Sequence, residues 1–339
     1  MAKKNLGVCV IGAGRAGMIH ARNFAGRVPG AKLLGVVDAL ESAAKSAAEE
    51  LDVPKWSVDY RDFLDDPAID AVVVVSPTEF HKATVIDFAR KGRHIFCEKP
   101  MAVDAAECDE MMAVCAEEGV KLQIGFMRRF DENFAEAKRR VDSGEIGDIV
   151  MIHSLTRGPS KPKPWMYDIS KSNGILAEVN SHDIDSVRWF AGSEMKSLYA
   201  IAGNYRNREF AEQYPDYYDN IVVTGNFQNG IQFIIDGSAY TQYGYDSRIE
   251  ILGTKGRIQA GRNEMSFVHS TTVGHGTSTP FVDSWRTLFR DAYLAEDTAF
   301  VNAVANNTPT LVTGHDGKMA IEIVRKGNES IREKKIVEF

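Results

Sequence analysis

The chain has 339 residues, of which 44% are hydrophobic and 26% charged, a composition typical of a soluble globular protein with room for two domains. The formal net charge of −7, with no block of like charges and no basic stripe, weighs against nucleic acid as a partner. The first residues lack the long apolar region of a secretory signal, and no stretch approaches the length of a membrane span. We therefore expect a cytoplasmic protein with no membrane partner.

The first part of the chain, up to about Gly125, alternates short apolar runs with longer amphipathic ones. The apolar runs predict strands, and the amphipathic runs, such as residues 16–27 and 41–51, predict helices. Near-continuous Val and Ile runs separated by helices indicate a parallel sheet covered on both faces. We therefore predict an α/β domain of the Rossmann type, with a doubly wound parallel sheet. The predicted strands are LGVCVI, AKLLGVVD, AIDAVVVVSP, RHIFCEKP and VKLQIGF.

The pattern changes after a predicted helix over residues 131–143. From Ile149 onward, longer alternating runs are separated by turn sequences such as Asn229-Gly230 and Lys255-Gly256, which are typical of antiparallel hairpins. One helix is predicted to begin near His182, and two more to finish the chain. These features predict a C-terminal α+β domain with an open, largely antiparallel sheet. We place the domain boundary at residue 125, giving domains 1–125 and 126–339, with the C-terminal helix free to pack back on the first.

Four cysteines are spread over the first domain with no CxxC pair and no spacing typical of a zinc site. Three of them lie in apolar or helical surroundings. We therefore expect reduced, structural thiols. The four cysteines are Cys9, Cys97, Cys108 and Cys115.

A glycine-rich loop joins the first predicted strand to the first helix, in the sequence CVIGAGRAGMIH. Gly12, Gly14 and Gly17 form the GxGxxG pattern in which the backbone approaches a pyrophosphate at a helix N-terminus. Asp38 ends the second strand, where a carboxylate accepts hydrogen bonds from the ribose of NAD and repels the 2′-phosphate of NADP. The pattern predicts NAD. A turn that binds nothing, or one that binds FAD or S-adenosylmethionine, is the alternative.

The carboxyl ends of two further strands point to the same side of the sheet, where ligands of doubly wound folds bind. One strand ends in SPTEFH and the other in EKP, so Lys99 follows a strand and is not buried within it. For His81 we favour a cofactor-proximal or structural role over catalysis. The candidate cofactor-binding residues are Gly12, Gly14, Arg15, Ala16, Gly17, Asp38, Ser76, Pro77 and His81.

Several segments in the same order resemble one family of oxidoreductases along nearly the whole chain. The segments are IGAGRAGMIHARNF, SPTEFH, EKPMAV, IGFMRRFD, GILAEVNSHDIDSVRWFAG and DAYLAEDTAFVNAV. They are similar to the glucose–fructose oxidoreductase/inositol dehydrogenase (Gfo/Idh/MocA) family, and IGFMRRFD is most similar to its inositol 2-dehydrogenases. The resemblance implies that Lys99 touches the substrate and organises proton transfer, and that Glu98 lies nearer the cofactor. It also implies a homodimer or homotetramer that packs through the sheet of the second domain.

The resemblance implies a second catalytic element, an Asp-x-x-x-His on a helix of the second domain. Here the element reads Glu178-Val179-Asn180-Ser181-His182, so glutamate replaces the more usual aspartate and its role is open. If these residues are helical, Glu178 and His182 lie four apart on one face. The positive helix N-terminus then favours a neutral, proton-accepting His182.

This assignment agrees with the chemistry of oxidising a secondary alcohol. The hydroxyl proton has to leave as hydride passes to nicotinamide, and a histidine suits that transfer, which is worth roughly 10² to 10⁴ in rate. Lys99 would hydrogen-bond the same oxygen and stabilise developing alkoxide charge. A solvated lysine and a capping or packing histidine are the alternatives, but their joint occurrence in the family pattern favours the active site. Glu178 could instead make only a structural hydrogen bond to His182.

The segment over residues 156–173 contains several prolines, which predicts a binding loop without helix or strand. Aromatic rings here could lie against the apolar face of a sugar ring, or could close a small core of the loop itself. Cations in the loop, including Lys161 and Lys163, could favour an acidic sugar or could simply be solvated. The candidate substrate-binding residues are Arg128, Arg157, Trp165, Tyr167 and Tyr243.

The sequence thus predicts an NAD-dependent dehydrogenase acting on a secondary hydroxyl of a cyclitol or sugar, most simply an inositol. Lys99, His182 and Glu178 are the candidate catalytic residues, and no metal is needed. Residues 1–125 are expected to bind NAD, and residues 126–339 to bind substrate and carry oligomerisation. Two alternatives remain: an enzyme that cleaves glycosides through transient oxidation by NAD, and a non-catalytic NAD-binding sensor.

Overall fold

A computed structural model describes residues 5–264, 270–274 and 276–339 of the chain. Residues 1–4, which begin the stretch where we expect no secretory signal, lie outside the described residues. Packing divides the chain into two units. The first is Met1–Phe130 with Arg290–Glu322, and the second is Asp131–Phe289 with Ile323–Phe339. The division of labour between residues 1–125 and 126–339 stays a prediction.

Runs rich in Val and Ile form many of the strands, because β-branched side chains fit a pleated and buried surface. The strands are β1 (Leu6–Ile11), β2 (Ala31–Val37), β3 (Lys55–Ser57), β4 (Ala71–Val74), β5 (His94–Glu98), β6 (Leu122–Gly125), β7 (Ile149–Gly158), β8 (Met195–Gly203), β9 (Asn220–Phe227), β10 (Gln232–Ala239), β11 (Asp246–Gly253), β12 (Arg257–Arg262), β13 (Ser270–Thr272), β14 (Gly276–Ser278) and β15 (Val337–Glu338).

Acidic side chains cap the start of several helices. Asp104 accepts the backbone N–H of Glu107, and Asp131 accepts those of Asn133 and Phe134, which satisfies amides that have no partner within the helix. The helices are α1 (Gly17–Gly26), α2 (Glu41–Leu51), α3 (His81–Ala89), α4 (Ala105–Glu117), α5 (Glu132–Asp142), α6 (Ile169–Ser172), α7 (Gly174–Glu178), α8 (Ser181–Ala191), α9 (Trp285–Leu288), α10 (Arg290–Asn306) and α11 (Gly314–Glu333).

The first unit contains a sheet of six described strands in the order β3-β2-β1-β4-β5-β6, and every neighbouring pair is parallel. The order reverses direction between β1 and β4, so ligands are expected at the carboxyl ends of these strands. The predicted doubly wound parallel sheet is confirmed.

Helix α10 completes the hydrophobic core of the first unit. Its residues Phe300 and Val301 are buried in the same cluster as Val8, Phe24 and Phe96. The rings of Phe96 and Phe300 meet edge to face with centroids 5.8 Å apart. This part of the C-terminal region therefore belongs to the first unit.

The second unit is built on a mixed sheet whose seven described strands follow the order β12-β11-β7-β10-β9-β8-β15. Neighbouring strands are antiparallel except for β7 and β10, which are parallel. The predicted hairpins at Asn229-Gly230 and Lys255-Gly256 join β9 to β10 and β11 to β12. Helix α8 packs on β7, and α7 on β9 and β10. The predicted α+β class with a largely antiparallel sheet is confirmed.

The prediction that residues 156–173 contain no helix or strand is wrong. Strand β7 continues to Gly158, because its last residues pair with the end of β10. Residues Pro164–Tyr167 form a 3₁₀ turn and α6 follows at once. Pro164 is the first residue of its turn, where the missing N–H of proline is tolerated. A proline in this segment can therefore begin a helical turn as well as interrupt one.

Within the described ranges, every helix is too short or too polar to traverse a lipid bilayer.

Candidate functional site

Four parallel strands of the first unit, β1, β2, β4 and β5, end at the same edge of their sheet. The glycine loop follows β1, Asp38 follows β2, Ser76 lies just beyond β4 and Lys99 follows β5. The structure therefore brings these predicted residues to one edge.

The glycine loop has the geometry that the spacing predicts. Gly12 has a φ of +105°, and a Cβ there would lie 2.6 Å from the carbonyl oxygen of Val75. A Cβ at Gly17 would lie 1.8 Å from the carbonyl oxygen of Gly12, so α1 can begin this close to β1 only with glycine. A Cβ at Gly14 would meet no atom of the described residues within 4 Å, so this backbone is open to a ligand. Arg15 is exposed beside it, and Ala16 precedes α1.

The carboxylate of Asp38 is held by two backbone amides. Its Oδ2 accepts the N–H of Ala13 at 2.8 Å, and its Oδ1 accepts the N–H of Leu40 at 2.9 Å. Each oxygen keeps a further lone pair for a hydroxyl group. Asp38 is partly exposed, and its neighbours Ala39 and Leu40 provide no cation for a phosphate. This arrangement fits the ribose of NAD.

His81 connects the loops that follow β4 and β5. Its Nε2 lies 2.7 Å from the carbonyl oxygen of Ser76, and its Nδ1 lies 3.0 Å from that of Pro100. The ring is buried, and burial lowers the pKa of His81. These contacts favour the structural role for His81. The buried Ser76 hydroxyl has no hydrogen-bond partner among the described residues, which fits a polar ligand at this edge.

Lys99 lies where β5 ends, joined to Pro100 by a cis peptide bond. Glu98 is buried, whereas Lys99 is partly exposed. The Oε2 of Glu98 accepts the backbone N–H of Lys99 at 2.9 Å. Gly125 of β6 makes room for this carboxylate, since a Cβ there would lie 2.7 Å from the Glu98 Cδ. The strand therefore buries the glutamate and leaves the lysine partly exposed.

Sequence reasoning missed a buried pair of side chains behind Glu98. His20 of α1 has no exposed surface, and its Nε2 lies 3.2 Å from the Glu98 Oε1. The other ring nitrogen, Nδ1, lies 2.6 Å from the Oδ1 of Asp297 on α10. The available signal was the spacing of His20 three residues after Gly17, which places both on the helix face toward the sheet.

In the second unit, Glu178 and His182 lie on different helices. Glu178 is the last residue of α7, whereas His182 is the second residue of α8. The condition under which both residues would share one helix face, a continuous helix over residues 178–182, is not met, because Val179 and Asn180 form a turn. The prediction of a helix beginning near His182 is confirmed.

A buried polar network fixes this turn. Asn180 donates from Nδ2 to the Oδ2 of Asp183 at 2.8 Å, and the Ser154 hydroxyl of β7 donates to the Oδ1 of Asp183 at 2.6 Å. A Cβ at Gly237 would lie 1.9 Å from the Asn180 Oδ1. The Asn180 side chain can therefore pack against β10 only because residue 237 is glycine. The first turn of α8, which carries the buried His182, is thereby anchored to the sheet.

The two aromatic candidates of residues 156–173 lie in different surroundings. The Trp165 ring is 45% exposed. Tyr167 is buried, and its ring centroid lies 4.3 Å from that of Phe210 and 4.8 Å from that of Tyr217. Tyr167 thus closes a small core, as the alternative for this loop supposed, whereas Trp165 remains accessible.

The charged candidates of the second unit are already paired. Arg157 forms an ion pair with Asp236, which raises the pKa of Arg157. The Tyr243 hydroxyl donates to the Oδ2 of Asp246 at 3.2 Å and also hydrogen-bonds Arg157. Lys161 pairs with Glu209 at 3.4 Å. These contacts weaken the case for an acidic sugar.

Arg128 lies in the first unit, buried in a 3₁₀ turn, Met127–Phe130, that follows β6. The turn packs against α10. Arg128 therefore belongs to the first unit, whereas the other substrate-binding candidates belong to the second.

Comparison with known families decides the assignment of the chain. Residues 6–126 match an oxidoreductase family with an NAD-binding Rossmann fold, GFO/IDH/MocA, and residues 134–259 match the C-terminal domain of that family. The chain belongs to the Gfo/Idh/MocA family. The predicted family and NAD as its cofactor are therefore confirmed.

Individual Gfo/Idh/MocA relatives align along nearly the whole chain. The chain is 37% identical over 324 residues to the scyllo-inositol 2-dehydrogenase (NAD(+)) of Bacillus subtilis, covering 95% of this chain and 93% of that protein. It is 35% identical over 330 residues to the myo-inositol 2-dehydrogenase of Thermotoga maritima, covering 97% of both. The crystal structure of scyllo-inositol dehydrogenase from Lactobacillus casei with bound NAD(H) and scyllo-inositol has a TM-score of 0.91 at 29% identity, covering 99% of both chains.

Proposed function

We propose that this protein oxidises one secondary hydroxyl of an inositol, or of a related cyclitol or sugar, to the ketone with NAD as acceptor. The observation that carries the proposal is the position of Lys99, a partly exposed lysine at the same sheet edge as the glycine loop. The relatives named inositol 2-dehydrogenases, which align along nearly the whole chain, support the choice of substrate.

NAD supplies the hydride acceptor when it is bound, and residues 1–125 are proposed to hold it. The open backbone at Gly14, with Arg15 and Ala16 beside it, is proposed to take the pyrophosphate at the start of α1. Asp38 is proposed to accept the ribose hydroxyls, because both of its oxygens are already oriented by backbone amides. The remaining residues proposed to contact NAD lie at the same sheet edge and are Ser76, Pro77 and Glu98.

Proton transfer is assigned to Lys99 and His182, with Glu178 as an assisting group. His182 is proposed to accept the hydroxyl proton, and the Lys99 ammonium to stabilise negative charge as it develops on the oxygen. Glu178 precedes the turn before α8, and we propose that it orients the histidine from there. The anchored first turn of α8 supports a fixed position for His182.

Residues 126–339 are proposed to bind the polyol. Trp165 is proposed to lie against its C–H face, because its ring is exposed. The linked Arg157 and Tyr243 are proposed to hydrogen-bond hydroxyl groups, which needs no net charge on the substrate. Arg128 is a further proposed contact from the turn after β6, and Tyr167 supports the loop.

Steady-state and single-turnover kinetics with inositols test this function. Lys99→Ala and His182→Ala should each lower kcat about 10²-fold or more, while the Kd for NAD changes less than about threefold. If both residues serve one proton transfer, the double variant should lose little more than the worse single variant. Lys91→Ala, which removes an exposed lysine paired with Asp65, is the matched control and should keep its kcat.

The same assay separates the alternatives. Steady accumulation of NADH with a simple inositol excludes a glycoside-cleaving enzyme that re-reduces its substrate, and any turnover excludes a sensor. Unchanged turnover in either single variant removes that residue from the mechanism. A parent protein that oxidises no inositol, aldose or uronic acid contradicts the proposed function.

A homo-oligomer and a cytoplasmic location complete the proposal. Ile201 of β8 and Val222 of β9 pair across the two strands and are 61% and 40% exposed. Alternation places them on the sheet face opposite to their buried neighbours Ala200 and Val223. We propose that this pair of exposed apolar side chains is part of a contact with a second copy of the chain. Four buried, reduced cysteines suit a reducing compartment.

A further inference from the structure

A buried line of hydrogen bonds runs through the first unit and ends at the Lys99 peptide. Asn23 donates from Nδ2 to the Oδ2 of Asp297 at 2.8 Å, and the Oδ1 of Asp297 lies 2.6 Å from the His20 Nδ1. The His20 Nε2 lies 3.2 Å from the Glu98 Oε1. The Oε2 of Glu98 accepts the Lys99 N–H at 2.9 Å. Three of the sequence motifs, on α1, β5 and α10, therefore meet in one network.

The carboxylates of Asp297 and Glu98, on either side of His20, favour its protonated form. A neutral imidazole has one N–H and could donate to only one of Asp297 and Glu98, whereas an imidazolium donates to both. Burial acts to lower the pKa of His20, but the charges and hydrogen bonds of the two carboxylates outweigh it and hold this pKa well above its usual value. Two aromatic rings also pack beside it: the Phe96 ring lies 5.0 Å from the His20 ring and the Tyr293 ring 5.4 Å, centroid to centroid.

The carboxylate of Glu98 has little freedom within this network. One oxygen faces His20 and the other holds the Lys99 amide, while the missing side chain of Gly125 provides the space on β6. Glu98 is buried and therefore has little water to replace either partner. The rotamer of Glu98 and the direction of the Lys99 peptide are thus set together.

We propose that His20 is a positioning residue: as an imidazolium held by Asp297, it fixes the Glu98 carboxylate and thereby the turn from which Lys99 reaches the substrate. The inference rests on the proposed function of Lys99 and adds the residues that orient it. His20 and Asp297 themselves touch neither substrate nor cofactor in this scheme. The arrangement explains why a buried strand that ends in a catalytic lysine carries a glutamate immediately before it.

Two amide variants of His20 test this role. The side-chain nitrogen of glutamine reaches the position of Nε2, so His20→Gln can still donate to Glu98. That of asparagine reaches only the position of Nδ1, so His20→Asn keeps Asp297 and loses Glu98. A misplacement of about 1 Å can lower turnover about 10²-fold, so we expect His20→Asn to lower kcat about tenfold or more and His20→Gln about threefold. The Kd for NAD should change less than kcat does in both variants.

Hydrogen exchange at the Lys99 amide tests the link between His20 and the Lys99 peptide without an activity assay. The difference between fragments that end at Glu98 and at Pro100 isolates the Lys99 amide, because proline has no amide hydrogen. Exchange should be at least about tenfold faster in His20→Asn than in the parent and His20→Gln, since the Glu98 acceptor is then free to turn away. Arg22→Gln on the same helix, which removes only an exposed pair with Glu50, is the matched control and should change neither exchange nor kcat.

Gly125→Ala approaches the network from the other side. The added methyl group would displace the Glu98 carboxylate while leaving His20 in place, and should also speed Lys99 exchange and lower kcat about tenfold. Lys99 exchange that is equal in parent, His20→Asn and Gly125→Ala overturns the positioning role. So do equal effects of His20→Asn and His20→Gln on kcat, because a residue that only fills space cannot distinguish the two. A parent without polyol oxidation overturns the proposed function instead, and the exchange result still decides the coupling.

Discussion

Lys99 illustrates how a charged side chain can be placed at the end of a buried strand. The residues of β5 before it are buried from Ile95 to Glu98, and a lysine placed among them would carry a large desolvation cost. At the next position the chain leaves the sheet, and the side chain becomes partly exposed. The apolar run therefore brings the ammonium to the sheet edge without burying it.

Asp38 gives a prediction for cofactor choice at the scale of one residue. Asp38→Ala removes the acceptor for the ribose hydroxyls and also the acceptor for the Ala13 and Leu40 amides. Hydrogen bonds to charged groups are worth about 1.5–3 kcal/mol, so we expect NAD to bind about tenfold to a hundredfold more weakly. Discrimination against NADP should relax, because the repelling charge is gone. Titration with the reduced forms of both cofactors, whose dihydronicotinamide ring fluoresces, measures the two effects.

Asp38→Asn is the matched control for this experiment. It keeps one oxygen for a backbone amide and loses the charge, so NAD should bind between the parent and Asp38→Ala while NADP gains. A parent protein that prefers NADP shows that the role given to Asp38 is mistaken.

At the scale of the element, the start of α1 is set by two glycines in contact. Gly17→Ala would place a methyl group 1.8 Å from the Gly12 carbonyl oxygen, and backbone must move to relieve it. We expect the free energy of unfolding to fall by about 1–3 kcal/mol and NAD binding to weaken with the displaced loop. Urea unfolding followed by circular dichroism measures the first effect.

Gly26 provides the control at the other end of the same helix. A Cβ there meets no described atom within 4 Å, and alanine favours a helix over glycine by up to about 1 kcal/mol. Gly26→Ala should therefore leave stability unchanged or raise it. Equal stability of the two variants would show that the approach of α1 to β1 tolerates a side chain.

Helices and strands whose residues carry a clear hydrophobic pattern could be predicted from the sequence. Features that depend on contacts with residues far along the chain could not. Helix α2 has the predicted bounds because its pattern over Glu41–Leu51 is local. The turn between α7 and α8 depends on the Asn180 amide, which bonds Asp183 beside Gly237. The candidate site follows the same rule. The glycine loop was recognisable from its spacing. The spacing of His20 from Gly17 indicates only which helix face carries the ring, because its partner Asp297 lies 277 positions away.

At the scale of the whole molecule, the apolar sheet face of the second unit predicts assembly. Ile201→Asp combined with Val222→Asp places charge in the proposed contact between copies, so the oligomer should dissociate. Size-exclusion chromatography with light scattering measures the mass. Val58→Asp, at an exposed valine of the first unit, is the control and should leave the assembly intact. A parent that is monomeric, or a double variant with unchanged mass, contradicts this interface.

The first unit is built from two segments that lie far apart in the sequence, and this limits when it can fold during synthesis. Phe300 and Val301 are part of its core, and the Oδ1 of Asp297 lies 2.6 Å from the His20 Nδ1. Asp297, Phe300 and Val301 are all synthesised after Asp131–Phe289. The core of the first unit therefore cannot be completed until that segment has been made. An excised fragment that ends at Phe130 should therefore expose apolar surface and aggregate, whereas supplying Arg290–Glu322 in trans should recover it.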